Sequence, residues 1–155
     1  MTLTGEYEPS PSAWVREQVE AYERSGGQEA NTLRDTGLPI IVMTTRGRRS
    51  GKLRKSPVMR VEHGGEYALV ASKGGAPEHP VWYHNLMEEP GAVTLQDGPA
   101  PFDVRVRLLE GSEREEWWKR AVEAYPPYAE YQLNTTRQIP VLLATATDRE
   151  GQDPT

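Results

Sequence analysis

The sequence predicts one α+β domain, mainly β, and three observations point there. The chain has 155 residues, enough for a single core and too few for two. Its 14 glycines and 13 prolines demand short elements and frequent turns, which argues against a helical bundle. Its apolar runs are short and rich in β-branched residues, while helical spacing is confined to a few segments.

Residues 1–11 (MTLTGEYEPSP) are polar and broken by Pro9 and Pro11; they read as a mobile arm ahead of a domain over residues 12–146. Ser12 is the expected N-cap of a helix with Trp14, Val15, Val19 and Tyr22 at helical spacing, closed by Gly26 and Gly27. That helix packs on the sheet or lies on a membrane surface, although its Glu-rich polar face speaks against the second. Residues 38–45 (LPIIVMTT) read as a buried strand, Gly47 and Gly51 permit a tight turn, and residues 54–63 resume as a strand. His63, Gly64 and Gly65 turn the chain into residues 66–72, whose Tyr67, Leu69 and Ala71 share a face. These three strands are expected to follow one another as an antiparallel set.

After a Gly- and Pro-rich loop over residues 72–80, Pro80 can open a helix at its first turn. Trp82, Tyr83, Leu86 and Met87 form its apolar side until Pro90 stops it. Residues 92–96 and 102–109 are strands around an Asp97-Gly98 turn, with Val104, Val106 and Leu108 alternating against Arg105 and Arg107. Ser112 with Glu115 reads as a capping box for a helix reaching Tyr125. Pro126 and Pro127 interrupt it, a broken helical turn follows, residues 139–146 are the last strand, and residues 147–155 are expected to be disordered.

Charge is unevenly distributed. The chain carries a net −5, yet residues 44–60 hold Arg46, Arg48, Arg49, Lys52, Arg54, Lys55 and Arg60 and no acid, so without those seven the remainder stands at −5 − 7 = −12. A glycine-containing turn with cations from both sides and Ser50 and Ser56 as hydroxyl donors suits a phosphate or several carboxylates; the alternative is a solvated surface turn. It is not a Walker loop, because the interval from Gly47 to Gly51 is too short and Leu53 stands where a Ser or Thr is required. In the second candidate region, residues 72–85, flexible backbone meets a helix start beside Trp82 and Tyr83. That combination suits a planar anionic cofactor, or is an ordinary loop and a core tryptophan. Thirdly, Tyr125, Tyr128 and Tyr131 recur every three residues and either line a pocket with phenols or simply pack.

Other chemistries lack their residues. There is no Cys, so disulfides, zinc–thiolate sites and cysteine nucleophiles are excluded. His79 and His84 are five apart without an acidic cluster, and no metal site is expected. No Ser-His-acid set stands at an elbow motif, and no carboxylate pair suggests glycoside chemistry. A nucleic-acid module is disfavoured by the negative balance and the lack of a stacking motif. Nothing in the first 30 residues resembles a secretory signal and no window suits a transmembrane helix, so the expected location is cytoplasmic, at most peripheral at the inner face of the cell membrane.

The run from residue 44 to residue 98, continued by EEWWKRAVEAYPPYAEYQ and RQIPVLLAT, resembles the deazaflavin-dependent nitroreductase family, the split β-barrel quinone reductases that use coenzyme F420, an 8-hydroxy-5-deazaflavin. The resemblance implies a split β-barrel with flanking helices, related to the flavin-binding split barrels. It implies that Arg48, Arg49, Ser50, Arg54, Lys55, Ser56, Pro57 and Val58 take the phosphate side of the coenzyme. Ala71, Ser72 and Lys73, with Trp82, Tyr83, His84 and Asn85, would hold the rest, including the ring. Tyr125, Tyr128 and Tyr131 would line the substrate pocket, with Tyr128 and Ser72 as candidate catalytic contacts. The implied reaction is hydride transfer to a menaquinone-like quinone, with nitro compounds as a side activity. The competing readings are a non-catalytic carrier of the coenzyme and an FMN protein of the same fold.

Overall fold

The computed structural model describes residues 3–147. Seven strands form one antiparallel sheet in the order β2-β1-β5-β6-β7-β4-β3, where β1 is Ile40–Arg46, β2 Leu53–Met59, β3 Glu62–His63, β4 Glu66–Val70, β5 Val93–Gln96, β6 Pro101–Leu108 and β7 Val141–Ala146. The order contains its own geometric constraint. β2 and β3 are the two edges, yet only Arg60 and Val61 join them. Seven strands laid flat would separate their edges by roughly 29 Å, whereas the three residue steps from Met59 to Glu62 span at most about 11 Å. The sheet must therefore curl into a half-barrel, with residues 60–61 as the short link between its two edges.

The strand expected over residues 54–63 is thus two strands on opposite edges. β2 pairs with β1, β4 pairs with β7, and the expected run of three successive neighbours does not form. The hairpin at Gly64 and Gly65 does form, with φ of 63° and 84° at the two turn residues, as a two-residue type I′ connection requires.

Burial explains the alternation along the central strands. Ile40 and Val42 of β1 and Val141 and Leu143 of β7 join one cluster, covered by three helices: α1 (Ala13–Ser25), α3 (Gly111–Ala124) and α4 (Pro127–Leu133). Ile41, Met43, Leu142 and Ala144 face the other cluster, which α2 (Val81–Glu88) covers through Leu86, with Trp82 and Tyr83 partly buried against it. Met87 and Leu108, expected on apolar faces, are exposed, and Leu109 is buried instead.

Ser12 occupies the N-cap of α1, but its side chain makes no capping bond. The helix ends as expected at Gly26, left-handed at φ 65°, with the Gly27 N–H on the Tyr22 carbonyl at 2.9 Å. A Cβ at Gly27 would stand 2.8 Å from the Cα of Gly98, so the helix end abuts the β5–β6 turn. The capping box at Ser112 is absent: Glu110 is the N-cap of α3 and Ser112 is already helical. The broken helical turn expected from Pro127 is the two-turn helix α4, with proline in its first turn. From the N-terminal arm, residues 6–8 run parallel to the start of β2, with Leu53 N–H to the Glu6 carbonyl at 2.7 Å and Glu8 N–H to the Leu53 carbonyl at 2.9 Å. Of the expected tail, residues 148–155 lie outside the described residues.

Candidate active site

A cavity of about 1100 Å³ brings most of the predicted residues together. Arg48, Arg49, Ser50, Arg54, Lys55, Ser56, Pro57 and Val58 line it from the β1–β2 turn and β2. Ser72 and Lys73 line it from the following loop, Trp82 and Asn85 from α2, and all three tyrosines from the α3–α4 junction. Three predicted residues are not in its wall. Ala71 is fully buried with its N–H on the Pro140 carbonyl. Tyr83 and His84 instead cluster with His79, at ring separations of 4.4 Å and 5.9 Å.

The basic turn is fixed by backbone bonds from Gly47 N–H to the Lys52 carbonyl and from Gly51 N–H to the Gly47 carbonyl, both 2.8 Å, with Gly51 at φ 75°. Asn85, 4% exposed, ties it to α2: its Oδ1 accepts from the Arg48 N–H at 3.1 Å and its Nδ2 donates to Thr45 Oγ1 at 3.3 Å. Asn85 therefore holds the turn against α2 while it lines the cavity.

The seven cations of this stretch are not equivalent. Arg46 pairs with Glu89, Lys52 with Glu6, Arg54 with Glu8, Lys55 with Glu23, and Arg60 with Asp97. Among the described residues, the side chains of Arg48 and Arg49 have no such partner. Both line the cavity and are exposed, so the positive field of the site is carried chiefly by these two.

At the opposite wall the Tyr125 and Tyr131 hydroxyls bond each other at 2.9 Å, and the Tyr128 ring packs edge-on to Tyr125 at 4.9 Å. Burial, then the bond to Tyr131, pushes the Tyr125 phenol up to about 12. Burial raises Tyr128 further, with the neighbouring phenols adding to it. Tyr128 is 5% exposed and lines the cavity, and its hydroxyl has no hydrogen-bond partner among the described residues. It is a neutral donor at the cavity wall. Between the two ends, Lys73, Gly74 and Gly75 hold successive positive φ values of 48°, 64° and 85°. A Cβ on Gly75 would stand 2.8 Å from the Tyr131 carbonyl, so this loop is pressed against α4.

Sequence reasoning missed the contribution of the N-terminal segment: Glu8, Ser10, Trp14 and Val15 also line the cavity. Trp14 shares the helical spacing of the packing residues, and only its 41% exposure sets it apart.

With this geometry in hand, comparison with known proteins is specific. Residues 14–146 match the profile of the F420H(2)-dependent quinone reductase family. The chain belongs to that family. It is 33% identical to the F420H(2)-dependent quinone reductase Rv1261c of Mycobacterium tuberculosis over 69% of this chain and 73% of the relative. It is 33% identical to the putative quinone reductase Rv3178 of the same organism, over 68% and 88%. A solved F420-H2 dependent reductase, FDR-A, superposes with a TM-score of 0.65 at 58% identity, covering 68% of this chain and 93% of the other. A second solved structure, described as a domain-swapped dimer, is 53% identical, with a TM-score of 0.67 and 87% and 99% coverage. A heme binding protein of Mycobacterium smegmatis, at 15% identity and TM-score 0.54 over 81% of this chain and 50% of the other, shares the fold alone. The protein is thus a deazaflavin-dependent reductase built on a curled, split-barrel sheet, and its cofactor is coenzyme F420.

Proposed function

We propose that the enzyme reduces a quinone, menaquinone-like in its natural form, in the cavity between Arg48 and Tyr128, with nitro compounds as secondary acceptors. One observation carries this reading: one cavity is lined both by two guanidinium groups and by a tyrosine hydroxyl that have no partner among the described residues. The residues fit the cofactor. A phosphodiester and glutamate tail call for cations and hydroxyls, which Arg48, Arg49, Ser50 and Ser56 present, and a flat ring calls for apolar and aromatic walls, which Val58, Trp82 and the tyrosines present. When bound, the coenzyme supplies a hydride.

The protein's own residues do the remainder. Arg48 and Arg49 attract and hold the anionic portion, and Asn85 keeps the turn that carries them in place. The tyrosine rings stack the acceptor and displace water from the cavity. Tyr128 Oη, held neutral by its raised pKa, donates a hydrogen bond to the acceptor oxygen on which charge develops, with the proton completed from solvent. Ser72, 8% exposed at the cavity wall, is a second donor in reach of the same space. No side chain acts as a nucleophile. A menaquinone acceptor places the enzyme at the inner face of the cell membrane, with the α1 segment and its exposed Trp14 as the contact.

The test is anaerobic oxidation of reduced coenzyme F420 by menadione with and without the protein, with reduced FMN and NADPH as parallel donors. Saturable acceleration with the deazaflavin alone supports the proposal. Tight binding without turnover indicates a carrier, and a preference for FMN removes the assignment of the cavity to deazaflavin.

A further inference from the structure

Arg137 lies outside the cavity wall, shortly before β7, yet its guanidinium makes four contacts and all reach one loop. Nε donates to the Ala76 carbonyl at 2.9 Å, and Nη2 donates to the Ser72 carbonyl at 2.7 Å. Nη1 donates to the Ala71 carbonyl at 3.2 Å and lies 2.9 Å from His79 Nδ1. This loop carries Ser72 and Lys73 into the cavity and ends at Pro80, where α2 begins with Trp82 in its first turn. Lys73, a non-glycine residue at positive φ, persists there only where the surroundings over-determine it, and Gly74 and Gly75 continue the left-handed run. The planar fork of five N–H donors suits that task, since one side chain satisfies three carbonyls and a ring nitrogen together.

We propose that Arg137 is a positioning residue for the reaction: with neutral His79 as its acceptor, it locks residues 71–79 so that Ser72, Lys73 and Trp82 face the cavity. The proposal rests on the reading that this cavity holds the coenzyme. Because an arginine only donates, the contact requires a lone pair on His79 Nδ1 and places the ring proton on Nε2. Protonation turns Nδ1 into a donor facing a guanidinium, and the contact is lost. The groups around the ring are Arg137, the edge-on ring of His84 and the tilted ring of Tyr83. The neighbouring carboxylate Glu78 is turned to Lys73 at 3.3 Å. Burial first, then the charge of Arg137, then His84, hold His79 below the usual imidazole range. With the folded value depressed, the unfolded or unlocked state binds the proton more readily. The lock is complete above the ordinary imidazole value and weakens as pH falls through the folded one.

The experiment uses coenzyme-free protein and two variants, Arg137→Lys and His79→Gln. Hydrogen exchange, corrected for intrinsic rates, is followed at the Gly75 and Ala76 amides, whose bonds to the Ser72 and Lys73 carbonyls lie within the loop. Arg137→Lys should speed exchange there about tenfold or more, as expected for losing hydrogen bonds to a charged donor, while the β1 and β7 amides stay protected. Acidification from about pH 7.5 to 5.5 should act likewise on the wild type. His79→Gln, which keeps an acceptor that does not titrate, should abolish that pH response. Binding of oxidised coenzyme F420 should weaken in parallel with exchange. Wild-type exchange and binding in a folded Arg137→Lys variant, or an unaltered pH response in His79→Gln, would overturn the proposal. If the wild type fails to bind the coenzyme, the reading of the cavity fails, and the exchange data still decide whether the lock exists.

Discussion

Replacing Tyr128 by phenylalanine should lower turnover and leave stability close to that of the wild type. The ring packs against Trp118 at 6.2 Å and Tyr125 at 4.9 Å, and phenylalanine keeps both contacts. What disappears is a hydroxyl with no hydrogen-bond partner among the described residues. Deleting a paired hydroxyl costs about 1 kcal/mol, but here no bond to the described residues is broken, and the hydroxyl opens on the cavity rather than being buried without a partner. Coenzyme-free Tyr128→Phe should therefore melt close to the wild type, within about 1 kcal/mol. Turnover should fall. If the hydroxyl meets the oxygen on which charge develops, its loss raises the barrier by about 3 kcal/mol, or roughly a hundredfold in kcat. The assay is kcat for menadione at saturating reduced coenzyme, with thermal melting of the same preparations. A fall of no more than about twofold with unchanged coenzyme affinity would leave Tyr128 a wall of the pocket and remove it as donor.

The same phenols set an alkaline limit. Tyr125 and Tyr128 have folded values raised above the ordinary 10.0, so the unfolded chain ionises first as pH rises. Their contribution to stability is complete below about pH 10 and is lost above it. Within the neutral range neither ionises, and no loss of activity there should trace to them.

Other perturbations separate the parts of the site. Arg48→Ala and Arg49→Ala, which remove unpaired rim cations, should each weaken coenzyme binding about tenfold and flatten its salt dependence, measured by fluorescence titration at two ionic strengths. Glu8→Gln releases Arg54 from its 3.4 Å partner on the cavity rim and should tighten binding severalfold at low salt, converging with wild type at high salt. Gly75→Ala faces both a φ of 85° and a Cβ only 2.8 Å from the Tyr131 carbonyl, and should lower stability by about 2–4 kcal/mol in denaturant melts.

What sequence reveals here depends on whether the cause is local. Gly64-Gly65 dictates a tight hairpin because two successive positive φ values select glycine, and the three-residue spacing of the tyrosines places all three phenols on one cavity wall. The division of residues 53–63 between opposite edges of the sheet has no local cause: it follows from curling, which Arg60 and Val61 merely permit. The cationic stretch misleads for the same reason. Seven charges contiguous in sequence look like one anion site, yet Glu6, Glu8, Glu23, Glu89 and Asp97 reach them from four other parts of the chain and leave two for a ligand. Arg137 is the converse case, a lone arginine whose sequence neighbours say nothing of a loop some sixty residues away. Charge in this protein is therefore informative only after pairing. The cations that remain free and the cation committed to backbone carbonyls are the two kinds whose removal should change function, the first through affinity and the second through geometry.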